Sequence, residues 1–230
     1  ILDRDYILTI LAVIGTTITP WAIFYLQASI ADKGVDMSKY GDTKIDVSFG
    51  AAWGNVISAF ILIVTAATLH QAGIFVENAK DAALALEPLA GKWAGLLFSV
   101  GLLGASLLAV SVLPLSTTYA MSEAFGFERG LNRRFKEAPF FYGSFAFIIF
   151  ISLLIVLIPG VPLFPIMILS QAMNAVLLPL ILFLILKIAN DPVIMGKYKN
   201  SKLTNILAYS LTVMITLITA VLIVEPFLNG

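Results

Sequence analysis

Pro20 is the residue that most constrains this chain. It stands inside an apolar run from Tyr6 to Ile30, in the stretch Gly15-Thr16-Thr17-Ile18-Thr19-Pro20-Trp21, where hydroxyls interrupt an otherwise hydrocarbon surface. An unbroken run of that length would cross a membrane as one helix, because about 20 apolar residues cover the hydrocarbon core. Proline has no N–H to donate, and its ring collides with the carbonyl four residues back, so the helical ladder fails around Thr16. In hydrocarbon, each orphaned backbone group costs several kcal/mol unless protein, water or a ligand meets it. Two readings stand here: a helix broken into halves, or a kink whose threonines satisfy the freed carbonyls within their own helix.

The remaining sequence is of the same character. With 60% hydrophobic and 12% charged residues and a mean hydropathy of +0.98, it carries more apolar surface than one water-soluble core could bury. Six segments are long and apolar enough to span a bilayer, at roughly 6–30, 45–69, 93–123, 139–158, 162–189 and 203–228, and no strand pattern competes with them. The fold class expected is therefore an all-α integral membrane protein, with the lipid bilayer as its surroundings. A formal net charge of zero gives no basic excess for nucleic acid. The absence of cysteine and the single histidine exclude disulfides, thiolate sites and His-rich metal clusters, but leave open a site built from hard oxygen ligands. Ile1-Leu2-Asp3-Arg4-Asp5 has neither an initiator Met nor the basic start of a signal peptide, and the chain reads as part of something longer.

Lys and Arg favour the cytoplasmic side. If the first span runs from outside to inside, the inner loops hold Lys33, Lys39, Lys44, Arg129, Arg133, Arg134, Lys136, Lys187, Lys197, Lys199 and Lys202, and the outer ones only Arg4, Lys80 and Lys92. That asymmetry places the C-terminus outside. The external connection 71–92 alternates Ile74, Ala82, Leu84, Leu86 and Leu89 with Glu77, Asp81 and Glu87, as a short helix on the membrane surface would.

Polar residues within the spans are the next signal, since a buried polar group in a membrane marks a pathway or a packing contact. Gln171 and Asn174 lie three apart on one helical face, and either line a cavity beside the broken helix or bond to a neighbouring helix. Asn55 and Ser58 form a similar pair, read as packing glue. Ser111, Pro114, Ser116, Thr117 and Thr118 interrupt the third span, either as a kinked helix beside a vestibule or as a kink that satisfies itself. Glu123 is placed to reach water or Arg129, and His70 ends the second span at the outer face. No acid pair, nucleophile with base or phosphate loop appears at mid-membrane, so an enzyme is not expected.

These stretches resemble the second half of the Nramp family of divalent metal transporters, which have the LeuT-type fold. Gly15 to Trp21 is similar to the family's Gly-Ala-Thr-Val-Met-Pro-His in its sixth helix. Glu87-Pro88-Leu89 precedes the eighth, and LSQAMNAVLLP (169–179) with NDPVIMG (190–196) resembles the tenth and its exit. The resemblance implies that residues 1–230 form a single transmembrane domain corresponding to the family's helices 6–11. The first inverted repeat, with its Asp-Pro-Gly-Asn motif, would be a partner half lying outside this chain. It also implies a bacterial inner membrane location. At such a site the transported ion, Mg²⁺ or Mn²⁺, is substrate rather than cofactor.

The departures from the family pattern carry information. The family's alanine that offers a carbonyl to the metal falls on Thr16, its metal-binding methionine on Thr19, and its proton-linked histidine on Trp21. A thioether suits softer metals, whereas hydroxyl and carbonyl oxygens suit magnesium. Mg²⁺ gives up its waters reluctantly and needs room for them. The resemblance thus points to the family's magnesium-transporting branch, without proton coupling, with metal contacts at Thr16, Thr19, Gln171 and Asn174 and the helix break at Gly15, Pro20 and Trp21. A proton-coupled manganese or iron importer and a non-transporting membrane scaffold are the alternative expectations.

Overall fold

The computed structural model describes residues 4–76 and 78–228. Ten α-helices follow one another: α1 (Arg4–Thr17), α2 (Pro20–Asp32), α3 (Tyr40–Thr65), α4 (Ala79–Ala83), α5 (Glu87–Ala90), α6 (Ala94–Phe125), α7 (Pro139–Leu157), α8 (Leu163–Ala189), α9 (Pro192–Met195) and α10 (Lys202–Leu228). Among the described residues six stretches are long and apolar enough to cross a membrane: Tyr6–Asp32, Met37–His70, Gly91–Phe125, Pro139–Leu157, Leu163–Ala189 and Lys202–Val221. The protein is an all-α integral membrane protein, as the hydropathy pattern required, and its first span is interrupted.

The chain divides into two compact units, residues 1–23 with 165–230, and residues 24–164. In the first, Ile7 and Leu11 of α1 close against Ala172 and Ala175 of α8, with Leu8, Ile10, Ile14 and Ile218 around them. The small alanines let helix backbones approach, which is how membrane helices gain dispersion contact where no hydrophobic drive separates them from lipid. The far ends of α8 and α10 are tied by three asparagines. Asn190 and Asn205 exchange amide hydrogen bonds, Asn190 Nδ2 donating to Asn205 Oδ1 at 2.9 Å, while Asn200 Nδ2 donates to the same oxygen at 3.1 Å. Asn200 N–H also takes up the carbonyl of Ala189, the last residue of α8 (3.1 Å). Asp191 then caps α9 by accepting from the N–H groups of Val193 and Ile194.

In the second unit, α3 runs on through a wider π turn, Ala66–His70, with His70 exposed at its end. The connection between α3 and α6 folds into the short helices α4 and α5, and Asn78 caps α4 by accepting from Lys80 and Asp81 N–H. Glu77 and the side chain of Leu89 lie outside the described residues. In the link between α2 and α3, Asp36 caps a short turn; the Ser38 hydroxyl and N–H hold its carboxyl below the usual range.

Most hydroxyls and amides within the spans bond their own helix. Asn55 donates to the Ala51 carbonyl (2.8 Å) and Ser58 to that of Gly54 (3.0 Å), so among the described residues both side chains bond within α3. Helix α6 continues through Pro114, and Ser111, Thr117 and Thr118 donate to the carbonyls of Leu107, Leu113 and Pro114, so these hydroxyls are spent within their own helix. Glu123 pairs with Arg129 at 2.8 Å.

Replacing Asn205 by Leu strands the amides of Asn190 and Asn200, each half-buried. The expected cost is about 1–3 kcal/mol, read as a lower midpoint of thermal unfolding in detergent. An unchanged midpoint would show that the asparagine clasp contributes nothing.

Candidate functional site

The first span is broken rather than kinked. α1 stops at Thr17 and α2 begins at Pro20, leaving Ile18 and Thr19 between them. Pro20 occupies the first position of α2, where its missing N–H removes no helical bond and its fixed φ suits the helix. Ile18 N–H still reaches the Ile14 carbonyl at 3.1 Å, the last regular bond of α1. Beyond it the pattern changes, because Pro20 has nothing to donate to Thr16 and Ala22 N–H turns to the Thr19 carbonyl at 3.2 Å instead of that of Ile18. The carbonyls of Thr16 and Ile18 are therefore left out of the ladder. They lie at the negative end of the α1 dipole, a setting that favours a cation.

The hydroxyls divide into two kinds. Thr17 Oγ1 folds back to the Val13 carbonyl at 2.7 Å and is satisfied within α1. Thr16 is exposed and Thr19 half-buried, and neither side chain has a hydrogen bond among the described residues. Trp21 sits half-buried in the first turn of α2.

Gly15 decides what the break stands beside. It is buried, and a Cβ built on it would overlap the carbonyl oxygen of Gln171 and come within 2.9 Å of the Ala175 N. The α1 backbone therefore rests directly on α8 one residue before Thr16, across the turn of α8 that carries Gln171 and Asn174. Those two side chains are half-buried and joined, Asn174 Nδ2 donating to Gln171 Oε1 at 3.0 Å. In this arrangement the Gln171 oxygen is engaged by its neighbour, and Asn174 Oδ1 keeps its lone pairs. Among the described residues, no three His, Cys, Asp or Glu side chains gather in one place. What this unit offers at the break is neutral oxygen: two backbone carbonyls, two hydroxyls and an amide.

Residues 1–225 match the family model described as natural resistance-associated macrophage protein-like, or Nramp. The chain belongs to the Nramp family. It is similar to the "Divalent metal cation transporter MntH" of Erwinia tasmaniensis, at 28% identity over 232 residues covering 98% of this chain and 53% of that protein. The proteins of the same name from Bacillus subtilis (27% identical, 97% of this chain, 51% of theirs) and Clostridium acetobutylicum (24%, 98% and 51%) are also similar. This Nramp chain thus spans about half the length of the curated relatives it matches.

In this Nramp chain, the role of Gly15 was not readable from sequence beyond its place in the broken stretch, because nothing local says which helix lies against it. Gly15→Ala should cost about 1–3 kcal/mol through overpacking against α8. Gly104→Ala in α6, where a Cβ meets open space, should cost nothing. Thermal unfolding of the two variants side by side checks this, and equal midpoints would remove the close contact from the account.

Proposed function

We propose that this chain supplies half of a membrane pathway for a divalent metal cation, preferring Mg²⁺, and works by alternating access without proton coupling. The observation that carries this reading is the two-residue gap at Ile18–Thr19 held against α8 by Gly15, with unengaged neutral oxygens on both sides of that contact. Family membership, and relatives named as divalent metal cation transporters, support it.

The mechanism follows from the ligand chemistry. A divalent ion entering hydrocarbon must replace most of what water gave it, and several kcal/mol of desolvation oppose any shortfall. Thr16 presents its released carbonyl, and Thr19 its hydroxyl and half-buried position. Asn174 Oδ1 accepts from an ion-bound water, while Gln171 fixes the orientation of that amide. Neutral oxygens at these positions suit an ion that keeps part of its shell, because a water held between metal and protein needs acceptors. Pro20 keeps the backbone open through the cycle. The positive charge is balanced by a carboxylate from outside these residues, at the half corresponding to the family's first repeat. The loop charges set the start of α1 outside, so its carbonyl end points inward at the break, and they set the C-terminus outside as well.

Two residues set the metal preference and the coupling. Thr19, a hard hydroxyl where the family carries a thioether, withdraws the ligand that rewards softer metals. Trp21, where the family carries a proton-linked histidine, has no group that titrates near neutral pH.

Thr19→Met should raise manganese and cadmium flux relative to magnesium by about tenfold, measured in vesicles containing the full-length protein. Unchanged selectivity would discard the assignment of Thr19. In the same vesicles, metal uptake by the wild type should leave the lumenal pH unchanged. Acidification in step with uptake would establish a proton-coupled importer instead.

A further inference from the structure

Asp32 is badly placed by local rules. It is the last residue of α2, where the carbonyls of the helix end carry partial negative charge and an acidic side chain is disfavoured. Its position has to be explained by contacts beyond its own helix, and the second unit provides them.

The carboxylate oxygen Oδ2 accepts from the Tyr119 hydroxyl of α6 at 2.9 Å and from Leu131 N–H at 3.1 Å. Asp32 also uses its backbone: its carbonyl, an orphan of the helix end, accepts from Asn132 Nδ2 at 3.0 Å. Gly130 has φ +120 and lies so close that a Cβ there would strike Asp32 Oδ1, so the loop at this point has room only for glycine. No ion pair to Asp32 is made among the described residues; its donors are neutral.

The partners are themselves held. Tyr119 is 3% exposed, packed with Ala28, Leu115, Ala138 and Phe141, and edge-on to the Phe141 ring at 4.9 Å. Tyr142 of α7 donates to the Arg133 carbonyl at 2.7 Å, and Glu137 accepts from Arg134 N–H at 2.9 Å, which fix the far end of the loop. Beside the carboxylate is a cavity of about 380 Å³ whose lining includes Asp32, Tyr119, Glu128, Arg129 and Arg133. One acidic group thereby joins three elements, α2, α6 and the 126–138 loop.

We propose that Asp32 is a positioning residue for transport: it clamps residues 24–32 to α6 and to the 126–138 loop throughout the cycle, so that the backbone rearrangement is confined to Ile18–Thr19. This rests on the transport function proposed above. The lever is geometric. A 13-residue helix is about 20 Å long, so a tilt of about 6° at a loosened Asp32 end moves the Pro20 end by about 2 Å, more than positioned chemistry tolerates. The clamp acts on the rate of the cycle and not on the ion's ligands, because none of its groups belongs to the proposed site.

The test uses the full-length protein in vesicles, with Asp32→Asn, Tyr119→Phe and Gly130→Ala, which attack the clamp from its three sides. Each should speed amide hydrogen exchange in residues 24–32 and 129–132 by about tenfold or more. Each should also lower maximal metal flux by about tenfold with the half-saturating concentration kept within about twofold. Asp32→Asn combined with Tyr119→Phe should be no worse than the worse single change, since both remove one interaction. Tyr119→Phe removes a single oxygen and keeps the packing, so it reports on the clamp even if a harsher variant fails to fold. Unaltered exchange in those segments overturns the proposal, and so does a raised half-saturating concentration at full maximal flux. These 230 residues contain no cysteine, so in full-length protein freed of any other cysteines Asp32→Cys with Tyr119→Cys can be bridged by a bis-methanethiosulfonate. Bridging should restore flux, whereas a block relieved by reductant would make this contact a moving gate and refute the clamp. If the wild type moves no metal, the transport reading falls, while the exchange measurements still judge the clamp.

Discussion

Everything in this molecule depends on where the backbone hydrogen bonds go at Ile18–Thr19. A helix crossing hydrocarbon must satisfy its own N–H and C=O groups, and the one break in the first span is tolerable only where protein, water or an ion takes up what is released. Pro20 enforces the gap, and Gly15 determines what lies beside it. Without the glycine, α1 could not rest on the Gln171 carbonyl, and the released carbonyls would have no amide-bearing turn of α8 nearby.

The polar groups within the spans fall into two kinds. Thr17, Asn55, Ser58, Ser111, Thr117 and Thr118 all donate to carbonyls three or four residues back, an internal arrangement that keeps a helix polar in composition and apolar in behaviour. Among the described residues Thr16 and Thr19 make no such bond, and Gln171 and Asn174 are joined to each other. Within this unit the break gathers unspent oxygen, with the buried Thr219 hydroxyl of α10 a further one without a partner among the described residues, and the proposed transport function uses the group at the break. The hard character of that oxygen, rather than its location, underlies the proposed preference for magnesium.

The opposite end of the broken helix shows the complementary device. At the break, backbone groups are released; at Asp32, a carboxylate and an orphan carbonyl are both collected by neutral donors from α6 and its following loop. A charge at an unfavourable helix terminus becomes acceptable because the surrounding fold supplies donors aimed at it.

By itself, the sequence determined the six spans, an interruption of the first at Pro20, the end of α8 before Asp191 and the reach of Glu123 to water or Arg129. Each of these follows from chain-local physics: apolar length against bilayer thickness, a missing N–H, and charges a turn or two apart. Family resemblance was legible for the same reason, since it rests on contiguous motifs. Tertiary structure alone decided that Gly15 meets Gln171, that Asn55 and Ser58 donate within α3, and that Pro114 leaves α6 unbroken while Pro20 splits the first span. It also decided that Asp32 reaches Tyr119 and Leu131, 87 and 99 residues away. Two prolines with the same covalent constraint stand differently, Pro114 inside α6 and Pro20 at the first position of α2, because proline is tolerated at either place in a membrane helix and packing between distant segments, not the local sequence, selects between them.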